Sequence, residues 1–170
     1  MNSDKHIETE RKYIIRKPDV KFLEGLEGYT VSEITQIYLS LSKEKTDRIR
    51  KRVFPSRTDY TRTVKLRVDK MSNIENEREI TEEEFTELSA YMREDTVPLS
   101  KTRHTFSYLG KTFEIDIYPY WERSCIMEVE LDFSDRDVTL PPFIEIIREV
   151  TGDRTYSNAL MSKSFPSEII

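Results

Sequence analysis

The feature that most constrains this chain is an alternation: seven stretches carry acidic or basic residues at every second position, several of them with apolar residues between. In an extended strand, successive side chains point to opposite faces. Each stretch therefore has a charged face, and several have an apolar face opposite. The charged sets are Glu8, Glu10 and Lys12; Arg48 and Arg50; Lys65 and Arg67; Glu77 and Glu79; Lys101 and Arg103; Glu114 and Asp116; Glu128 and Glu130. The apolar sets include Ile7 and Ile15; Ile49 and Val53; Val64, Leu66 and Val68; Phe113, Ile115 and Ile117; Met127, Val129 and Leu131. Two arrangements satisfy the pattern. Two sheets can meet apolar face to apolar face and leave every charge in water. Alternatively, one sheet can close with its charges inside and its apolar faces outward under helices.

Composition bears on this choice. Apolar residues make up 36% and charged residues 35%, against roughly 45–50% apolar, Gly included, in soluble domains. Disorder does not explain the deficit, since there are nine Tyr, eight Phe and only four Gly. A hydrated, charged interior would. The net charge of −5 argues against a general nucleic-acid surface. The single cysteine, Cys125, allows no internal disulfide and suits a reducing compartment. No apolar run approaches the roughly 20 residues of a membrane helix, and the first residues contain no hydrophobic segment like a signal peptide. The expectation is a cytoplasmic protein, monomer or homodimer, with neither nucleic acid nor membrane as a partner.

Periodicity and turn residues predict strands over about 7–15, 34–41, 47–54, 59–68, 75–80, 99–109, 111–118 and 125–133. A short helix should follow Pro18, with Val20, Leu23 and Leu26 at helical spacing. A second should start at the capping box of Thr81 to Glu84 and bury Phe85, Leu88 and Met92. Pro141 and Pro142 should open a third, with Phe143, Ile146, Ile147 and Val150 on one side and a stop at Thr151-Gly152. A last short helix is expected over 157–162. Ile74-Glu75-Asn76-Glu77-Arg78 echoes Ile7-Glu8-Thr9-Glu10-Arg11, so the order strand, helix, three strands occurs twice. The predicted fold is α+β and predominantly antiparallel β. It is an eight-stranded closed tunnel barrel built from two β-α-β-β-β units with helices packed outside. One domain would span 1–170, with halves of about 1–70 and 71–140 and a helical tail over 141–170.

A charged bore would have particular chemistry. Two carboxylates one residue apart, as at Glu8 and Glu10, can chelate a divalent cation, and hard cations take oxygen ligands. Lys12 could neutralise an anion brought in with the metal. Glu128 and Glu130 repeat the paired acids. Several Lys and Arg suit a polyanion with several phosphates, which Arg can bind bidentately. Bases that cancel phosphate charge, together with a divalent metal, are what hydrolysis of a phosphoanhydride requires. His104 has the opposite parity from Lys101 and Arg103 and should point away from a bore, and His6 would reach its mouth at best. Cys125 shares the apolar parity of Met127 and Val129, which fits a structural role.

In this order the motifs resemble the CYTH domain, or triphosphate tunnel metalloenzyme, family. They are Glu8-x-Glu10-x-Lys12, Gln36-Ile37-Tyr38-Leu39, Arg48-Ile49-Arg50, Thr63-Val64-Lys65-Leu66-Arg67, Lys101-Thr102-Arg103, Glu114-Ile115-Asp116, Glu128-Val129-Glu130, and a C-terminal Val150-Thr151-Gly152-Asp153 with Tyr156-Ser157-Asn158. The resemblance implies an eight-stranded tunnel acting on triphosphate compounds with Mg²⁺ or Mn²⁺. It implies Glu8, Glu10, Asp116, Glu128 and Glu130 as metal ligands. Lys12, Arg48, Arg50, Lys65, Arg67, Lys101 and Arg103 would bind triphosphate. Glu77 and Glu79 would be second-metal ligands or tunnel wall, and Tyr38 with Lys101 would activate the attacking water. The expected activity is inorganic tripolyphosphate hydrolysis. The alternatives are a class IV type adenylate cyclase, a thiamine triphosphatase with Trp121 or Tyr120 as an aromatic platform, and a non-catalytic polyphosphate- or nucleotide-binding module.

Overall fold

The computed structural model describes residues 4–132 and 137–169, with side chains described from residue 9. The side chains of His6, Ile7 and Glu8, and the predicted strand end at Phe133, lie outside the described residues. Nine strands form: β1 (Asp4–Arg16), β2 (Thr30–Leu41), β3 (Lys45–Val53), β4 (Thr58–Arg67), β5 (Ser72–Glu79), β6 (Leu99–Tyr108), β7 (Lys111–Ile117), β8 (Ser124–Glu130) and β9 (Ile146–Glu149). Three α-helices accompany them: α1 (Val20–Glu24), α2 (Glu82–Ser89) and α3 (Asn158–Met161). The first eight strands follow the predicted double β-α-β-β-β order.

These eight strands are antiparallel and run β5-β4-β3-β2-β6-β7-β8-β1, and β1 pairs back onto β5 to close a ring. The two echoed segments meet at this closure, with Ile7 directly opposite Ile74. Short links turn the chain between neighbours. Leu109 and Gly110, with φ of 47° and 75°, form the tight β6–β7 turn between paired Tyr108 and Lys111.

The segment after Pro141-Pro142 corrects one expectation. It begins with a turn in which Ile144 N–H donates to the Pro141 carbonyl at 3.1 Å, and it ends in β9, not a helix. The cause lies in β1. Its residues from Asp4 to Thr9 pair with β5, and its other edge pairs with β8 from Glu10 to Arg16. Past Thr9 the first edge would be left with unpaired N–H and C=O groups. Strand β9 covers it through Tyr13 to Ile15. Arg16 N–H donates to the Glu145 carbonyl at 2.9 Å and Val150 N–H to the Lys12 carbonyl at 2.8 Å. The same apolar residues suit an extended chain buried on both sides. Phe143, Ile144 and Ile146 join one apolar cluster, while Ile147 and Val150 join another. The tail is therefore helical only from Asn158 to Met161, after a 3-10 turn over Arg154–Tyr156.

The core lies in three apolar clusters rather than at the ring's centre. One lies on the outer faces of β1, β6, β7 and β8, where Tyr13, Ile15, Phe106, Phe113, Ile115, Cys125, Met127 and Val129 pack with Leu23 of α1. A second seats Phe85 and Leu88 of α2 against Ile37, Ile49 and Tyr60. The third combines Ile14, Leu99, Tyr118 and Ile126 with Trp121, Val150, Tyr156 and Met161. Those four share the strand parity of the charged residues, so the inner face turns apolar where β6 begins and β7 ends. The C-terminal segment completes this stopper. The Trp121 indole N–H donates to the Pro166 carbonyl at 2.9 Å, and the Glu168 carboxylate accepts the backbone N–H of Arg123 and Ser124.

Gly152 sits where the tail crosses the ring. Its φ is +75°, and a Cβ there would lie 2.9 Å from the Lys70 carbonyl oxygen. Gly152→Ala should cost about 1–3 kcal/mol, read as a drop of several degrees in Tm. An unchanged Tm would show that the crossing is not tightly fixed.

Candidate functional site

The inner faces of the ring enclose a cavity of about 440 Å³. Its lining is two-signed and mostly charged. It includes eleven Lys or Arg and nine Asp or Glu among the described residues, in a chain whose net charge is −5. The cations are therefore concentrated here. Strands β3 and β4 supply Arg48, Arg50, Arg52, Lys65 and Arg67, and β1 and β8 supply Glu10, Lys12, Glu128 and Glu130. The sheet has closed with its charges inside, the second of the two arrangements the alternation allowed.

Register brings opposite signs together. Glu75, directly opposite Lys65, lies 3.1 Å from its Nζ and 3.9 Å from Arg48 Nη2. Lys12, opposite Glu128, lies 3.2 Å from its carboxylate. Burial opposes the Lys12 charge, but Glu128 and Glu10 outweigh it and raise the ammonium. Burial likewise works against the Glu128 carboxylate, while Lys12 and Arg103 hold it well below the usual range. Glu77 accepts a hydrogen bond from the Thr63 hydroxyl at 2.8 Å.

A buried triad forms at the stopper end. Arg103 grips Asp116 with Nε and Nη2, both at 2.8 Å, and also lies 2.6 Å from Glu114. Lys101 Nζ donates to Asp116 at 2.7 Å and to Asn158 Oδ1 at 3.4 Å. Burial would raise the Asp116 carboxyl, but Arg103 and Lys101 hold it down to about 2. Burial, with repulsion from Arg103 and Arg50, pushes the Lys101 ammonium down while Asp116 opposes that shift.

Of the residues singled out in the sequence, Glu10, Lys12, Tyr38, Arg48, Arg50, Lys65, Arg67, Glu77, Arg103, Glu128 and Glu130 line the cavity. Lys101, Asp116 and Glu79 do not line it. Lys101 and Asp116 sit behind its wall, in contact with each other. Asp116 Oδ2 accepts two hydrogen bonds and Oδ1 one, so Oδ1 keeps a lone pair for a further donor or a cation. Sequence reasoning missed Glu75 and Glu114 as ion-pair partners, and the tail residues Arg154, Ser157 and Asn158 that complete the lining. The parity of the first two was visible; the tail's path was not. His104 is buried outside the bore with Nδ1 2.8 Å from the Tyr29 hydroxyl, and burial lowers it. Cys125 is buried in the outer core, and burial raises its thiol. Trp121 is part of the stopper and Tyr120 packs at a tilt against Phe165; neither lines the cavity as a platform.

Among the described residues no three acids converge as a ready metal site. Glu10 and Glu128 come within hydrogen-bond reach of each other, and Glu130 is the direct cross-strand neighbour of Glu10. This oxygen-only donor set fits a hard divalent cation. It would also relieve the crowding of the two carboxylates.

An antiparallel eight-stranded ring around a two-signed bore is the tunnel fold of the CYTH, or triphosphate tunnel, proteins. The chain is similar to the crystal structure of the inorganic triphosphatase NE1496, with 26% identity, 94% of this chain and 97% of that chain covered, and a TM-score of 0.60. It also shares the fold of PH1819 protein from Pyrococcus horikoshii (20% identity, 76% and 80% covered, TM-score 0.56). A putative adenylate cyclase from Bacillus halodurans is a further match in fold (19%, 74% and 81%, 0.52). No family model and no curated protein matches the sequence.

The triad generates a prediction. Asp116→Asn would leave Lys101 and Arg103 buried without their shared carboxylate and should cost about 3–5 kcal/mol. The Asp116 carboxyl is lower in the fold than its ordinary 3.8. Its contribution is therefore complete above about pH 4 and lost as pH falls through about 2. Denaturant unfolding across pH 2–7 should show the wild type losing stability below about pH 4, with Asp116→Asn lacking that part of the decline. Equal stability of the two proteins at pH 7 would contradict the assignment.

Proposed function

We propose that the protein is a metal-dependent triphosphatase whose substrate is inorganic tripolyphosphate. The observation that carries this reading is the concentration of cations in one water-accessible bore of an acidic chain, with paired acids on the facing wall. Similarity to an inorganic triphosphatase over nearly the whole chain supports it.

Arg48, Arg50, Lys65 and Arg67 would bind the phosphate chain and offset charge that develops as the P–O–P bond breaks. Lys12, raised by Glu10 and Glu128, stays cationic and would hold a terminal phosphate beside those acids. Glu10, Glu128 and Glu130 would hold Mg²⁺ or Mn²⁺, which supplies further neutralisation of phosphate charge. Asp116 would add a ligand through Oδ1, which accepts a single hydrogen bond, and Glu8 would extend the set from β1. Glu77 and Glu79 fit wall roles better, since Glu77 is held by Thr63 and Glu79 lies off the lining. Tyr38 lines the bore and would orient the attacking water, with Lys101 contributing its charge from behind the wall. Water would add to one phosphorus, releasing phosphate and leaving pyrophosphate.

The test is phosphate release with Mg²⁺ or Mn²⁺ from tripolyphosphate, ATP and thiamine triphosphate, with cyclic AMP assayed in the ATP sample. Rapid release from tripolyphosphate and little from the others is expected. Cyclic AMP would move the protein to the cyclase reading, and metal-dependent binding without turnover to a binding module. Arg50→Ala should lower kcat/KM for tripolyphosphate by roughly 10- to 100-fold, since one charge-assisted bond is worth about 1.5–3 kcal/mol. An unchanged value would remove Arg50 from the site.

A further inference from the structure

The bore holds its cations in two different ways. Lys12, Arg48, Lys65 and Arg103 each lie within 4.0 Å of a carboxylate. Arg50, Arg52 and Arg67 are held by neutral oxygens instead. Arg52 Nε donates to Ser32 Oγ at 2.8 Å, and Arg67 to the carbonyls of Asp69 and Gly152 at 3.2 and 3.3 Å. Arg50 is the most enclosed of the three. Its Nε and Nη2 both donate to Gln36 Oε1, at 3.1 and 2.7 Å.

Register explains the clamp. Gln36 of β2 lies directly opposite Arg50 of β3, and Thr61 of β4 flanks Arg50 on the other side. No carboxylate occupies a facing position. Gln36 is fully buried, and its Nε2 has no hydrogen-bond partner among the described residues. The orientation of the amide is forced, because a guanidinium only donates and must meet the oxygen. Burial, with repulsion from Arg48 and Arg103, pushes Arg50 down to about 9. A buried donor without a partner and a guanidinium offset at a distance by Glu77, with no carboxylate in contact, are both costly. A carboxylate at position 36 would remove both costs, and it would also cancel the charge.

We propose that Gln36 is a specificity-determining positioning residue, a neutral clamp that fixes the Arg50 guanidinium while leaving its charge for a polyphosphate anion in the bore. This rests on the reading of the bore as a polyanion site. The local cost is then offset when the anion binds. A neutral clamp, unlike an ion pair, orients the fork of the guanidinium without competing for it.

Calorimetric titration of tripolyphosphate in the presence of a metal chelator tests this without depending on turnover. Gln36→Met removes the clamp at nearly constant volume, and Gln36→Glu keeps a bond to Arg50 but spends its charge. Gln36→Met should raise Kd at least fivefold in the wild-type background and less than twofold in an Arg50→Ala background, as expected for a residue acting through Arg50. Gln36→Glu should weaken binding more than Gln36→Met, yet melt at a temperature no lower than Gln36→Met without ligand. A purely structural role gives the reverse order, with Gln36→Met worst and Gln36→Glu harmless. That order, or an equal Gln36→Met loss in both backgrounds, would overturn the proposal. Should Gln36→Met fail to fold, wild-type affinity in Gln36→Glu overturns it alone. Failure of wild-type protein to bind tripolyphosphate would instead overturn the polyanion reading and this proposal with it.

Discussion

A barrel with charges inside stands only if its strand register places opposite signs within reach of one another. Here Lys65 faces Glu75, Lys12 faces Glu128, and Arg103 faces Asp116. Each pair spans two neighbouring strands, so each also pins a register. A slip of one residue would turn these charges outward and drive Ile, Val and Phe into the bore. Charge pairing and ring closure are thus one constraint. The outer clusters supply the apolar burial that an ordinary barrel would find at its centre.

Strand β1 carries most of this burden. It closes the ring with β5, pairs along its other edge with β8, and accepts β9 where β5 ends. It also delivers Glu10 and Lys12 to the bore and Ile14 to the stopper. The chain after Val150 then crosses the ring, contributes Arg154 and Asn158 to the lining, and docks through Trp121 and Glu168. One end of the bore is consequently closed by apolar side chains, with Arg103 immediately inside and Asp116 and Lys101 behind the wall.

Much of this could be read from alternation. The eight strands, their order and their charged faces follow from a period of two, which any strand must obey whatever surrounds it. Lys101 and Asp116 show the limit of that rule. They share the parity of the bore residues yet lie behind its surface, because parity gives a direction and not a depth. Ile14, Leu99, Tyr118 and Ile126 show the same limit, pointing inward where the interior has turned apolar. Strand β9 was hidden for another reason. Phe143, Ile146, Ile147 and Val150 satisfy a helical period, and only the unpaired edge of β1, set by tertiary structure, makes the extended form win. The Gln36 clamp depends on which residue of β2 faces Arg50, a register no single strand encodes.

Two opposing demands meet in the bore. Stability favours a carboxylate for every buried cation, whereas binding a polyanion requires some cations left uncompensated. Strands β1, β5, β7 and β8 meet the first demand, and the face of β3 toward β2 meets the second. The most direct measurement is a crystal structure with tripolyphosphate soaked in under chelating conditions. A bore built for a polyanion predicts phosphate density inside the ring, with oxygens against Arg50 and Lys65. Density only on the outer faces, with the bore filled by water alone, would contradict it.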